Sequence, residues 1–101
     1  LGPKYGDLHN FRGVALCELS RVGEGIAAFR RAVALNADHS VAKLNLAFAH
    51  LRAGQFKDAE HALEAVLDQD PSQSVASAKL QELRTGRTAD SRRQAGRGAT
   101  R

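Results

Sequence analysis

The stretch that decides the fold is Ser40-Val-Ala-Lys-Leu-Asn-Leu-Ala-Phe-Ala-His-Leu-Arg-Ala-Gly-Gln-Phe-Lys-Asp-Ala-Glu-His-Ala-Leu-Glu-Ala-Val-Leu-Asp-Gln-Asp-Pro71. Val41, Leu44, Ala47, Phe48 and Leu51 recur at three- and four-residue spacing, which places them on one face of a helix over about 40–53. Phe56, Ala59, Leu63, Val66 and Leu67 do the same over about 56–69. Gly54 follows the last periodic residue of the first pattern, where a left-handed terminator favours glycine. Pro71 lacks the N–H that would continue the second pattern. The stretch therefore predicts two helices joined by a tight turn.

Working upstream, Leu8, Phe11, Ala15, Leu16 and Leu19 form a helical face, with Gly6-Asp7 as the start and Asp7 as its N-cap. Ser20 to Gly25 interrupts the pattern, and its two glycines predict a turn or a frayed start. A further helix runs from there to about Leu35, burying Ile26, Phe29, Ala32 and Val33. Asn36-Ala37-Asp38 ends it, and Asp38 or Ser40 caps the next. Downstream, Val75, Ala76, Ala78, Leu80 and Leu83 predict a fifth helix over 72–84. Residues 85–101 hold no apolar period and too little to bury to offset ordering entropy, so they read as a disordered basic tail.

Composition agrees with an all-helical chain. The 101 residues allow one small domain. With no Trp, no Met, one Tyr and four Phe, the core must come mainly from Ala, Leu and Val. One cysteine excludes an internal disulfide framework, and the four His show no metal-ligand spacing. No leader and no long apolar run stand out, which points to a cytoplasmic protein without a membrane segment. Leu1 falls in mid-pattern, as in a piece of a longer protein. The net charge of +4 is not a property of a folded face. Ten Lys/Arg and ten Asp/Glu cancel within 1–84, so the excess comes from Arg87, Arg92, Arg93, Arg97 and Arg101 against Asp90.

The chain repeats at an offset of 34. Gly13 falls on Ala47, Ser20 on Gly54, Val22 on Phe56 and Gly25 on Ala59. Phe29 falls on Leu63, Ala32 on Val66 and Val33 on Leu67. One step further, Leu46 falls on Leu80, so the fifth helix opens a third unit. Two helices per 34 residues, with Leu46-Ala47, Gly54, Phe56, Ala59, Leu63 and Pro71 at these spacings, resemble the tetratricopeptide repeat. Arg12-Gly13, Gly25-Ile26, Phe29 and Ala32 match in part. His9 and Lys43 replace the aromatic that opens a repeat, His50 replaces the usual Tyr, and Ala37 replaces the closing Pro.

The resemblance implies an all-α, right-handed solenoid of antiparallel helix pairs, with two full repeats and a terminal capping helix. Its segments are 1–5, the end of a preceding repeat or linker; 6–38 and 39–71, the repeats; 72–84, the cap; and 85–101, the tail. It also implies a concave groove, lined by the first helix of each pair, that binds a protein or peptide. Groove positions are Asn10, Val14, Cys17 and Glu18, then Leu44, Asn45, Phe48, Leu51 and Arg52, and Lys79 on the fifth helix. Some members clamp a C-terminal carboxylate, and Asn45 and Lys79 match two of that clamp's places. Asn10, Val14 and Val75 depart from it, so an apolar segment suits this groove better. Leu44 and Phe48 have an alternative role, packing between repeats. The apolar residues of the first helix, with no polar cap over them, also suit a homodimer.

No constellation for catalysis is legible. Cys17 has no fixed His partner and reads as a small core or groove residue. His50 and His61 lie on different helices with no ligand cluster. Glu60, Glu64 and Asp68 form a solvated acidic stripe, and Gly23-Glu24-Gly25 lacks the rest of a phosphate loop. No cofactor is expected. The Arg-rich tail has charge but no aromatics for base stacking, which speaks against specific nucleic-acid recognition.

Overall fold

The computed structural model describes the backbone of residues 2–99 and the side chains of residues 6–86. It contains α1 (Gly2–Glu18), α2 (Val22–Leu35), α3 (Ser40–Arg52), α4 (Phe56–Gln69) and α5 (Ser74–Ala99), with no strand among the described residues. Each helix packs on its neighbour in sequence, and α1 also touches α3. This is the contact pattern of a helical repeat, in which a unit buries its apolar face only against adjacent units.

The period seen in the residues extends to the backbone hydrogen bonds. At the first turn Arg21 N–H donates to Leu16 O at 2.8 Å and Ser20 N–H to Cys17 O at 3.0 Å. One repeat on, Gln55 N–H donates to His50 O at 2.9 Å and Gly54 N–H to Leu51 O at 3.0 Å. The inter-repeat turns match as well. Asn36 Oδ1 accepts from Asp38 N–H and Asp70 Oδ1 from Ser72 N–H, both at 3.1 Å. Each turn thus satisfies orphan groups at the helix ends in the same way twice.

Two buried clusters form the core. Cys17, Ile26, Phe29 and Ala49 join the first helix pair to α3, with Val22 and Leu46 against them. Ala47, Leu63, Val66, Ala76 and Leu80 join the second pair to α5, with Leu44, Ala62, Leu67 and Leu83 alongside. Close crossing within the first pair requires glycine. A Cβ on Gly13 would stand 2.5 Å from the Phe29 ring, and one on Gly25 would stand 2.5 Å from Cys17 Sγ.

Several expectations are corrected. Helix α1 begins at Gly2, not at Gly6, because Pro3 is well placed in a first turn where its missing N–H costs nothing. Asp7 is therefore inside the helix and caps nothing. Its buried side is the small and polar series Gly6, Asn10, Gly13 and Cys17, while Leu8, Phe11 and Leu19 are exposed. Helix α2 starts at Val22 and carries both glycines in its first turns. His39, rather than Asp38 or Ser40, caps α3. Phe56 and Val75 lie half-exposed, since no helix among the described residues covers them, and Ala78 is exposed. In place of a disordered tail from residue 85, the backbone of α5 continues to Ala99, through a run whose Arg, Gln and Ala are good helix formers. The side chains of the five tail arginines lie outside the described residues.

Candidate functional site

The first-helix positions converge on a cleft between α1 and α3. Val14, Cys17 and Glu18 from α1 face Asn45, Phe48, Ala49 and Arg52 from α3, with the Phe29 ring beneath. These α1 positions fall at i, i+3 and i+4, and the α3 positions at i, i+3, i+4 and i+7, so each helix presents one stripe to the cleft. The volume is about 190 Å³. That is below the ~300–1,000 Å³ of sites for drug-sized ligands. It holds a side chain or two rather than a nucleotide-sized cofactor.

The polar residues of the cleft are tied to one another across the two helices. Asn45 Nδ2 donates to Asn10 Oδ1 at 3.0 Å, and Asn10 is buried. Arg52 Nη1 donates to the Cys17 carbonyl at 2.8 Å, in the last turn of α1. This bond supplies a cation where the helix leaves carbonyls facing outward. Glu18 stands at the same end of the cleft, so its rim carries both signs of charge. The walls are apolar through Val14 and Phe48, both incompletely buried.

The expected site residues divide into three groups. Val14, Asn45, Phe48 and Arg52 share the cleft, and Asn10 supports it through Asn45. Leu44 does not join them: it packs against the cluster of Ala47, Leu63 and Val66, between repeats. Lys79 lies one repeat away on α5, where Nζ reaches Glu82 at 3.2 Å. The two residues that matched a carboxylate clamp are thus engaged elsewhere, Asn45 by Asn10 and Lys79 by Glu82.

Two features of this region escaped the sequence. Phe29, read only as core, floors the cleft, which becomes visible once Gly13 opens the space for its ring. His39 ties the repeats together, with Nε2 2.9 Å from Asp7 Oδ1 and Nδ1 accepting from Ala42 N–H at 3.2 Å. Its signal was present, since position 39 directly precedes a helix start, but imidazole is seldom considered as a cap.

Among the described residues, no group of three or more His, Cys, Asp or Glu is placed to hold a metal ion. No described helix is long and apolar enough to cross a membrane. A family model for the tetratricopeptide repeat matches residues 18–83. No curated protein matches the chain.

Proposed function

Because the chain belongs to the tetratricopeptide repeat family, we propose that it is a non-catalytic module that seats an apolar peptide or protein segment between α1 and α3. Repeats of this family generally mediate protein–protein interaction. The observation that supports this cleft is the pairing of incompletely buried Val14 and Phe48 across it. An apolar side chain of the partner fits between them. Asn45, whose amide donates to Asn10, presents its carbonyl oxygen to a partner N–H, and Glu18 and Arg52 set the direction of the segment. We place this activity in the cytoplasm, where the single buried thiol of Cys17 stays reduced.

Peptides selected from a random display library on the wild-type protein test the reading. Phe48→Glu weakens a cleft ligand by at least about tenfold, the loss of one buried apolar contact plus an unpaired charge. Circular dichroism verifies that the helices survive. Selected peptides that bind Phe48→Glu as tightly as the wild type overturn the assignment.

A second reading is a structural oligomerisation unit. Leu8 and Phe11 on α1 are 61% and 68% exposed and Leu19 just past its end is 66% exposed, whereas Ala42 and Ala49, one repeat after Leu8 and Ala15, are 0% and 2% exposed. The positions of Leu8 and Ala15 are thus open in the first unit and covered in the second. Sedimentation velocity decides between them. A dimer that Phe11→Glu dissociates supports self-association, and a monomer at high concentration removes it.

A further inference from the structure

A second cleft lies between α1 and α2, on the side of α1 away from Val14. At 100° per residue, its α1 residues His9, Arg12 and Leu16 fall nearly opposite Val14, Cys17 and Glu18. The other wall is Arg21, at the N-cap of α2, with Glu24 and Arg31 of the helix itself, over a floor of two alanines, and the volume is about 310 Å³. His9 and Arg31 also line an adjoining, more apolar hollow against Ala34 and Leu35. The two form one groove with a basic rim and an aliphatic floor.

We propose that this groove binds a carboxylate-rich polypeptide segment, its acidic side chains meeting Arg12, Arg31 and His9 and its aliphatic ones lying on Leu16 and Leu35. This surface is separate from the cleft between α1 and α3.

The chemistry of a carboxylate among guanidinium groups is already present there. Both Glu24 oxygens accept from Arg21, through Nε and through Nη2, in the fork geometry that favours arginine for this pairing. The Glu24 carboxyl is held below its ordinary range, first by the hydrogen bonds from Arg21, with the charges of Arg21 and Arg12 adding to them. Arg21 is thereby satisfied. Arg12 and Arg31 form no ion pair among the described residues, so two guanidinium groups remain for an incoming anion.

The second repeat serves as an internal control on what the fold itself requires. One period after Arg12, Arg21 and Arg31 stand Leu46, Gln55 and Ala65. Leu46 packs against the buried cluster of Ile26 and Phe29. A helix pair of this kind therefore forms with an aliphatic residue at the place of Arg12, and the cations are additions that folding did not demand. The aliphatic floor then selects among anions. A free phosphate makes no use of it, while a segment alternating acidic and aliphatic residues covers both features.

The test uses the whole chain and a fluorescein-labelled Glu/Leu peptide, followed by anisotropy. The double variant Arg12→Gln/Arg31→Gln weakens binding by about tenfold or more, as expected for lost charge-assisted pairs. Arg30→Gln/Lys57→Gln removes the same charge from exposed positions outside the groove and leaves affinity within about twofold, the scale of screened surface charge. Amide shifts in an ¹⁵N spectrum map the peptide to residues 9–16 and 24–35. Absence of binding, equal loss in both double variants, shifts confined to the Phe48 cleft, or displacement by equimolar inorganic phosphate each overturn the proposal.

Discussion

Ser20 and Gly54 hold the same turn one repeat apart, and both lie in the left-handed region, with φ of 64° and 75°. Glycine adopts this conformation without penalty, whereas a Cβ crowds the following carbonyl. The second repeat has the favoured residue and the first does not. Ser20→Gly raises stability by about 1 kcal/mol, and Gly54→Ala lowers it by a similar amount. Urea unfolding midpoints measure both. Nothing lies within 4 Å of a Cβ built on Gly54, so its loss comes from the backbone and not from a clash.

Gly13 and Phe29 form a volume pair that the second repeat builds as Ala47 and Leu63. The larger ring in the first repeat is accommodated by the smaller partner. Gly13→Ala alone drives a methyl into the ring and costs about 1–3 kcal/mol. Phe29→Leu alone leaves space at a buried position and costs about 1 kcal/mol or more. The double substitution re-creates the pair of the second repeat, so its cost falls short of the sum by about 1 kcal/mol in a double-mutant cycle. Strict additivity would show that the contact does not govern the crossing.

Element number, turn positions and the period were legible because apolar spacing and the Gly and Pro stops are local signals. The buried side of α1 was not. Periodicity selected Leu8, Phe11 and Leu19, but helix pairs that cross closely bury their smallest residues, and α1 turns Gly6, Asn10, Gly13 and Cys17 inward. An apolar stripe shows that a helix has a hydrophobic face; only the neighbouring helices determine whether it is covered. The cleft was half legible for the same reason. Val14, Asn45, Phe48 and Arg52 follow from register on first helices, while the separation of Leu44 and Lys79 depends on which neighbour each side chain meets. The basic groove was hidden because its arginines come from two helices, and charge over residues 1–84 cancels.

Ala37 occupies the place of Pro71 in the earlier turn. The residue before each has nearly the same extended backbone, φ −145° and ψ 95° at Asn36 against φ −138° and ψ 90° at Asp70. Asp70 holds this conformation directly before Pro71, and it avoids the helical region that a following proline disfavours. The substitution Ala37→Pro meets a turn already shaped for it and stabilises by about 0.4–1 kcal/mol, mainly by restricting the unfolded chain. Thermal unfolding gives the sign directly. A lower midpoint would show that the first turn needs the Ala37 N–H.

His39 supports α3 in two ways that substitution can separate. Its Nδ1 accepts from Ala42 N–H, so the proton resides on Nε2, which donates to Asp7 on α1. The first bond satisfies an orphan helix donor, and losing such a cap costs about 1 kcal/mol. The second reaches a carboxylate whose side chain is 57% exposed, where pairing is worth little. His39→Ala therefore destabilises by about 1 kcal/mol. His39→Asn recovers most of that loss, because asparagine is itself a strong cap, and Asp7→Ala changes stability by no more than about 0.5 kcal/mol. Chemical denaturation of the three variants compares them. If Asp7→Ala proves as costly as His39→Ala, the link between the repeats outweighs the cap.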